Sequence, residues 1–322
     1  MHNSSNEIVS VIIVTRGIGG YLFLCLDSLK KQAYNALEII IIDNTLNPEF
    51  CRKAMAEYPE AKLYSSLEAL SYCESLNKGI QISKGRYILC LNDDASLGER
   101  FIENALAGFG IDDKIGMVSG KVLRKDAITI DSAGLFLSPW RTASERGYGS
   151  KDRGQFNKEE YIFGVNGAVA FYRREMLEAI KIESEYFDTD YHFFYEDLDV
   201  AWRARLFGWE GYYIPGAVAY HLRGGSVRPG KGVNKPYARR YLNNQLHLDL
   251  LKNRYLTLIK NESMADFILR LPFILLYDIL AWAYILFFRP SLIIKFFSNL
   301  KYFSRALNKR KIIKRMKNEA AS

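Results

Sequence analysis

Only four cysteines occur in 322 residues, Cys25, Cys51, Cys73 and Cys90, and no two share the Cys-x-x-Cys spacing of a metal knuckle or redox pair. Cys90 lies within an apolar run, so the four read as reduced thiols of a cytoplasmic protein and not as a disulfide framework. The N-terminus lacks a basic region followed by a sustained apolar stretch. The run from Ile8 to Val14 is short and reads as a strand, so nothing there marks the chain for secretion. An early Gly-rich, Arg/Lys-containing phosphate loop is missing, which disfavours a nucleotidyltransferase. No Ser-His-Asp or Cys-His arrangement suggests covalent catalysis. Zinc-finger spacing and other nucleic-acid motifs are absent too, although the formal charge is +8.

That charge is local. Between Lys301 and Asn318 stand Lys301, Arg305, Lys309, Arg310, Lys311, Lys314, Arg315 and Lys317 with no acid, which equals the whole excess. A basic tail after a strongly apolar region suits an anionic membrane surface, at about 1 kcal/mol per basic residue. A solvated helix without a partner is the alternative. The 49% hydrophobic content implies a compact core, and the length allows one large domain with an appendage.

The segment Tyr87 to Ala95 is an apolar run ending abruptly in Asn92, Asp93 and Asp94. Unpaired carboxylates are costly to bury, so acids at a strand's end face water, a cation or a ligand. Hard divalent cations choose carboxylate oxygens, but Asn and Asp also favour solvated turns, and both readings stand at this point. Around this segment, strand-like runs (Ile8–Thr15, Leu37–Ile42, Tyr87–Leu91) alternate with helix-spaced ones (Tyr21–Gln32, Pro48–Tyr58, Leu67–Ser83). Alternation of this kind predicts a largely parallel sheet with helices on both faces and a ligand crevice at the strand ends, where Asp43 and Asp94 share a rim.

The middle third is less regular. Residues 135–157, rich in Gly, Ser and Arg, read as a mobile loop or an acceptor-side excursion. The small residues from Phe163 to Phe171, including Asn166 and Gly167, permit close approach to a ligand or tight strand packing. Helix-spaced Val200, Ala204 and Phe207 then place Glu196, Asp197 and Asp199 at a helix N-terminus, with Gly208 as its stop. Acids there complement the helix dipole, which accounts for one of them but not for three after a dense aromatic run. A final strand, Gly211 to Tyr220, ends in His221 and precedes a flexible Arg223-Gly224-Gly225-Ser226.

Taken in order, Val11-Ile12-Ile13-Val14-Thr15, Glu38 to Asn44, Asn77-Lys78-Gly79, Gly85 to Leu89, Leu91-Asn92-Asp93-Asp94, Phe187-Asp188, Glu196-Asp197-Leu198-Asp199, Arg203 to Gly208 and Tyr220-His221 resemble family 2 glycosyltransferases. The bacterial rhamnosyltransferase-like branch, which builds surface polysaccharides such as O-antigen, is the nearest in look. The resemblance spans about residues 8 to 226 and rests on the order and spacing of the whole series.

It implies a GT-A fold, that is, an α/β, Rossmann-like, mostly parallel sheet, over residues 1–235, with a nucleotide-sugar half (1–120) and an acceptor half (121–235). Residues 236–322 would be a helical, membrane-associating region. The implied reaction is inverting transfer of a hexose from a nucleoside diphosphate sugar to a hydroxyl, with Mg²⁺ or Mn²⁺. By the same resemblance Asp197 is the catalytic base and Asp94 and His221 are metal ligands. Asp43 contacts the base, and Thr15, Arg16, Asn77, Asn92 and Asp93 fall on the donor side. Asn166, Gly167, Glu196 and Trp209 fall on the acceptor side. A catalytically silent sugar-nucleotide or glycan-binding scaffold is the alternative. Two departures stand out: Thr15-Arg16-Gly17 replaces the commoner Thr-(Tyr/Phe)-Asn-Arg, and Ser66 to Leu70 replaces a Gly-Phe stretch.

After about residue 235 the chain reads as an amphipathic helix (Tyr237–Lys260), an 18-residue apolar run (Leu271–Phe288) and a shorter one (Leu292–Phe303). Asp278 near the centre of the long run would cost about 2.5–3.5 kcal/mol in a bilayer core, and Pro272 sits in its first turn. The expectation is a monotopic anchor on an anionic surface at the cytoplasmic face of a bacterial inner membrane, near a polyprenyl-diphosphate-linked acceptor. A spanning helix and a soluble homodimerisation or core-packing helix are the alternatives.

Overall fold

The computed structural model describes residues 7–17, 20–223 and 242–321. The boundary at 235/236, the Gly224 to Ser226 stretch and the start of the helix expected from Tyr237 lie outside them. In chain order the elements are β1 (Val9–Thr15), α1 (Tyr21–Lys30), β2 (Leu37–Asp43), α2 (Pro48–Glu57), β3 (Lys62–Ser65), α3 (Tyr72–Ile82), β4 (Tyr87–Asn92) and β5 (Ala95–Leu97). Next come α4 (Phe101–Phe109), β6 (Ile115–Arg124), β7 (Ile130–Ser132), β8 (Leu135–Leu137), β9 (Ala143–Glu145), β10 (Glu160–Ile162), β11 (Val169–Arg173), α5 (Arg174–Ile180) and α6 (Glu196–Leu206). The chain closes with β12 (Glu210–His221), α7 (Asn244–Asn261), α8 (Met264–Phe288), α9 (Ser291–Phe297) and α10 (Leu300–Ala321).

One sheet runs β10-β12-β6-β11-β4-β1-β2-β3, with β5 on β12 and β7 on β6. β1, β2, β3 and β4 are mutually parallel and β12 is parallel to β6, whereas β11 runs antiparallel between β4 and β6. All seven residues of β1 are buried because alternate side chains feed two cores: Ile12 and Val14 on one face, Val9, Val11 and Ile13 on the other. A continuous β-branched run is the expected signature of such a strand. The register pairs Thr15 with Asp43 and Val14 with Asn92, so the carboxyl ends of β1, β2 and β4 form one rim.

α3 starts five residues later than the sequence pattern predicts, because Ser71 and Glu74 form a reciprocal capping box. Residues 135–157 carry the antiparallel hairpin β8-β9. The apolar run after residue 271 belongs to a longer helix that starts at Met264, capped by Ser263. The Leu292–Phe303 stretch is split between α9 and α10.

Candidate active site

A cavity of about 1210 Å³ lies against the strand-end rim, larger than a typical small-ligand pocket. Asn92, Asp93 and Asp94 form its floor, together with Arg16 after β1 and Tyr72 at the start of α3. Thr15 Oγ1 donates to Asp93 Oδ2 at 2.7 Å, and Tyr72 Oη donates to Asn92 Oδ1 at 2.9 Å. Burial pushes the Asp93 carboxyl up to about 6; the Thr15 hydrogen bond opposes this and Asp94 adds to it.

Asp94 is met by the end of β12, because β5 pairs antiparallel with that strand and sets Ala95 opposite His221. His221 Nε2 lies 3.2 Å from Asp94 Oδ1, while Nδ1 lies 2.9 Å from Asp131 Oδ2 on β7. Burial alone would lower the imidazole, but the two carboxylates outweigh it and push His221 up to about 9. Asp131 also ion-pairs with Arg223, which lines the cavity. Among the described residues no cluster of three or more His, Cys, Asp or Glu side chains could hold a metal by itself.

The N-terminus of α6 also lines the cavity. Phe194 and Tyr195 have φ of 69° and 73°, a left-handed conformation that bulky residues rarely adopt and that costs about 1–3 kcal/mol each. Asn253 of α7 holds this turn by donating Nδ2 to the carbonyls of Phe193 (2.7 Å) and Phe194 (2.9 Å). The turn aims Glu196 and Asp197 into the cavity. Asp197 Oδ1 accepts from the Leu198 N–H at 2.7 Å and Oδ2 from the Gly167 N–H at 3.1 Å. A methyl group on Gly167 would sit 3.3 Å from Asp197 Oδ2, tighter than an ordinary contact, so the absent side chain permits this approach.

Glu196 and Asp197 differ in their surroundings. Among the described residues Glu196 Oε2 is buried without a hydrogen-bond partner, and burial, then Asp197, pushes this carboxyl up to about 8. Burial raises Asp197 as well, against its two backbone N–H donors. Neighbouring carboxyls cannot both ionise cheaply, and bonds from N–H groups favour the charged form. Asp197 is therefore the ionised member near neutral pH, and Glu196 the neutral one.

Other residues singled out from the sequence are placed elsewhere. Asp43 is buried and accepts from the Thr45 N–H (2.9 Å), Cys51 Sγ (3.0 Å) and Ser65 Oγ (3.1 Å), while its neighbour Asn44 lines the cavity. Asn77 is a bracket, bonded to the backbone of Tyr186 and Phe187 through both ends of its amide. Trp209 packs against the apolar core, away from the cavity wall. Asn166 does line it, with Nδ2 donating to Glu145 Oε1 at 2.7 Å. Asp199 faces inward, bonded to Arg203 (3.0 Å), Lys260 (2.8 Å) and Asn261 (2.8 Å).

Sequence reasoning missed Asp131, Glu145, Tyr72 and Arg223, and missed that α7 and α8 form a cavity wall through Leu251, Arg254, Tyr277 and Tyr284. Asp131 and Glu145 sit on three-residue strands, too short for any periodicity to show which way they point. The charge of Asp278 on α8 is met by Arg254 at 2.5 Å, so it is already neutralised within the protein. Basic tail residues are likewise engaged: Arg305 with Asp190, Lys309 with Glu185, Asp188 and Asp190, Arg310 with the carbonyls of Ile259 and Glu262, and Arg315 with Glu319.

The profile described as Glycosyl transferase family 2 matches residues 10–181. Glycosyltransferase GlyG of Streptococcus pneumoniae is 30% identical over 101 residues, 30% of this chain and 34% of that protein. The uncharacterized glycosyltransferase YibD of Escherichia coli is 36% identical over 97 residues, 29% of this chain and 28% of that protein. Both matches thus span about a third or less of the relatives' lengths. Among solved structures, GalNAc-T7 with UDP, GalNAc and Mn²⁺ gives a TM-score of 0.58 at 15% identity, over 80% of this chain and 48% of that one. The mannosyltransferase PcManGT of Pyrobaculum calidifontis, in complex with GDP-Man and Mn²⁺, gives 0.55 at 16% identity, over 98% and 87%. At these identities the likeness is one of fold, the GT-A type.

Proposed function

The chain belongs to glycosyl transferase family 2, and on that premise we propose that it moves a sugar from a nucleoside diphosphate sugar to an acceptor hydroxyl by single displacement, with a divalent cation and with Asp197 as base. The observation that carries the reading is that two separate acid centres line one cavity: Asp94 with His221 on the strand-end rim, Asp197 at the tip of α6. The acceptor oxygen bonds to the anomeric carbon while the bond to the diphosphate breaks, and the acceptor's proton passes to the Asp197 carboxylate. Gly167 and Leu198 orient that carboxylate, and neutral Glu196 leaves it the ionised member of the pair at the start of α6.

Once the ion displaces the proton that His221 holds between the two carboxylates, its Nε2 and the Asp94 oxygen 3.2 Å away, with Nδ1 anchored on Asp131, would suit Mn²⁺ or Mg²⁺. Two side chains are too few to hold such an ion alone, which suits cations that bind through one or two carboxylates plus substrate phosphates. Bound there, the cation would offset charge on the leaving diphosphate. A screen of UDP-, GDP- and dTDP-sugars with Mg²⁺ or Mn²⁺ tests this: one donor raises the unfolding midpoint only with metal present, and Asp94→Ala loses that increment. Equal stabilisation of wild type and Asp94→Ala would overturn the metal assignment. A hexose, rhamnose among the candidates, is the proposed cargo.

The acceptor is proposed to be lipid-linked and the protein monotopic on the cytoplasmic face. α8 is long and apolar enough to cross a membrane by length and composition. Its inner side lines the cavity with Tyr277, Leu280, Ala281 and Tyr284, while Ile268, Leu269, Ile279 and Phe287 project outward with at least 64% exposure. A helix that is a wall of the site on one side and bare and apolar on the other supports lying along a bilayer. Lys301, Lys311, Lys314 and Lys317, exposed on α10, supply the anionic-lipid contact. The full chain is expected to float with phosphatidylglycerol-containing vesicles and an Ile279→Asp/Phe287→Asp variant to stay behind; equal partitioning of the two would sink the anchor.

A further inference from the structure

The reading above gives no role to Glu145, the last residue of β9 and part of the cavity wall. Its carboxylate is held at both ends: Oε2 accepts from Ser132 Oγ, and Oε1 accepts from Asn166 Nδ2 at 2.7 Å. The same Asn166 turns its Oδ1 back to accept from the Ala168 N–H at 2.9 Å. The residue between them, Gly167, donates its N–H to Asp197. A continuous chain of bonds thus runs from β9, through the turn at 166–168, to Asp197.

We propose that Glu145 is the positioning residue of the catalytic base: it fixes the Asn166-Gly167-Ala168 turn whose N–H orients Asp197. This rests on the reading of Asp197 as the base. Two features of the site support it. Asp197 is held by two backbone N–H groups, those of Gly167 and Leu198, so its direction depends on whatever holds that backbone. Glu145 is itself buried and engaged: burial, then Asp197, pushes its carboxyl up to about 7 despite the bonds from Ser132 and Asn166, and Arg223, the cation that faces it, is paired with Asp131. A carboxyl that titrates above Asp197 is neutral over the range in which Asp197 titrates, so what it contributes is the bond that fixes the turn and not a charge.

The test compares Glu145→Ala and Glu145→Gln with wild type and with Asp197→Asn, measuring kcat, KM for donor and the unfolding midpoint. Glu145→Ala removes the acceptor of the Asn166 bond and is expected to lower kcat roughly 10- to 100-fold with donor KM unchanged. Glu145→Gln keeps the side-chain length and an oxygen that accepts from Asn166, and should restore most of that loss. A wild-type kcat in Glu145→Ala overturns the inference, as does a fall in kcat that follows a lowered midpoint or that Glu145→Gln does not restore. Turnover by Asp197→Asn would instead overturn the assignment of the base, so the two failures are told apart.

Discussion

Asp197→Asn is expected to lower kcat about 10²- to 10⁴-fold, the usual contribution of a positioned general base, while the metal-dependent stabilisation by donor persists. The substitution nearly preserves shape: an amide oxygen can still accept one of the two N–H groups, from Gly167 or Leu198, that bond the carboxylate. What it removes is proton affinity. Glu196 is too poor a base to substitute, because it is buried and neutral near pH 7 and would have to shed its own proton first. Asp94, just before β5, and His221, the last residue of β12, are unaltered by the substitution, so donor binding is spared. Single-turnover assays at saturating donor would show this as a slow step with unaltered donor affinity. Near-wild-type turnover would refute the role. Donor binding without turnover in the wild type would favour a silent scaffold.

Much of this site was legible in the sequence because its parts end regular elements. Asn92 to Asp94 close an apolar strand, and His221 closes another. Glu196 and Asp197 open a helix whose apolar spacing is plain. Legibility failed where function is set by long-range packing. Asp199 looks like its neighbours on paper, yet two steps along the helix from Asp197 turn it about 200°, away from the cavity side and into a buried network. Asp43 looks like a ligand contact at a strand end, yet α2 and β3 close over it and bring Cys51 and Ser65 to its carboxylate. The apolar C-terminal run reads as an appendage, whereas α7 supplies Asn253 to the strained turn and α8 lines the cavity. None of these contacts leaves a periodic trace, because each joins residues more than twenty positions apart or depends on which way one side chain faces.

The network behind the base makes Lys260→Met the substitution with the largest expected cost in stability. Asp188 (3% exposed) and Asp199 (0% exposed) share the Lys260 ammonium, the latter at 2.8 Å. Burial by itself would raise both carboxyls; Lys260, with Lys309 beside Asp188 and Arg203 beside Asp199, holds them below the ordinary carboxylate range. Removing one partner of a buried ion pair costs about 3–5 kcal/mol, because the remaining charge is left in a poor solvent. Lys309 and Arg203 stay in place, so the lower end of that range is expected in chemical denaturation. The sign of the pH dependence follows. Carboxyls held low in the folded state stabilise it above their ordinary titration range and lose that contribution as pH falls through and below it. Wild type should therefore weaken on acidification below about pH 4, and Lys260→Met, with less to lose, should show a shallower decline. The effect reaches the site because Asp199 and Arg203 lie on α6, two and six residues beyond Asp197, and Lys260 lies on α7, the helix that also carries Asn253. A Lys260→Met protein as stable as wild type at neutral pH would mean that Lys309 and Arg203 suffice, and that the seat of the base does not depend on this lysine.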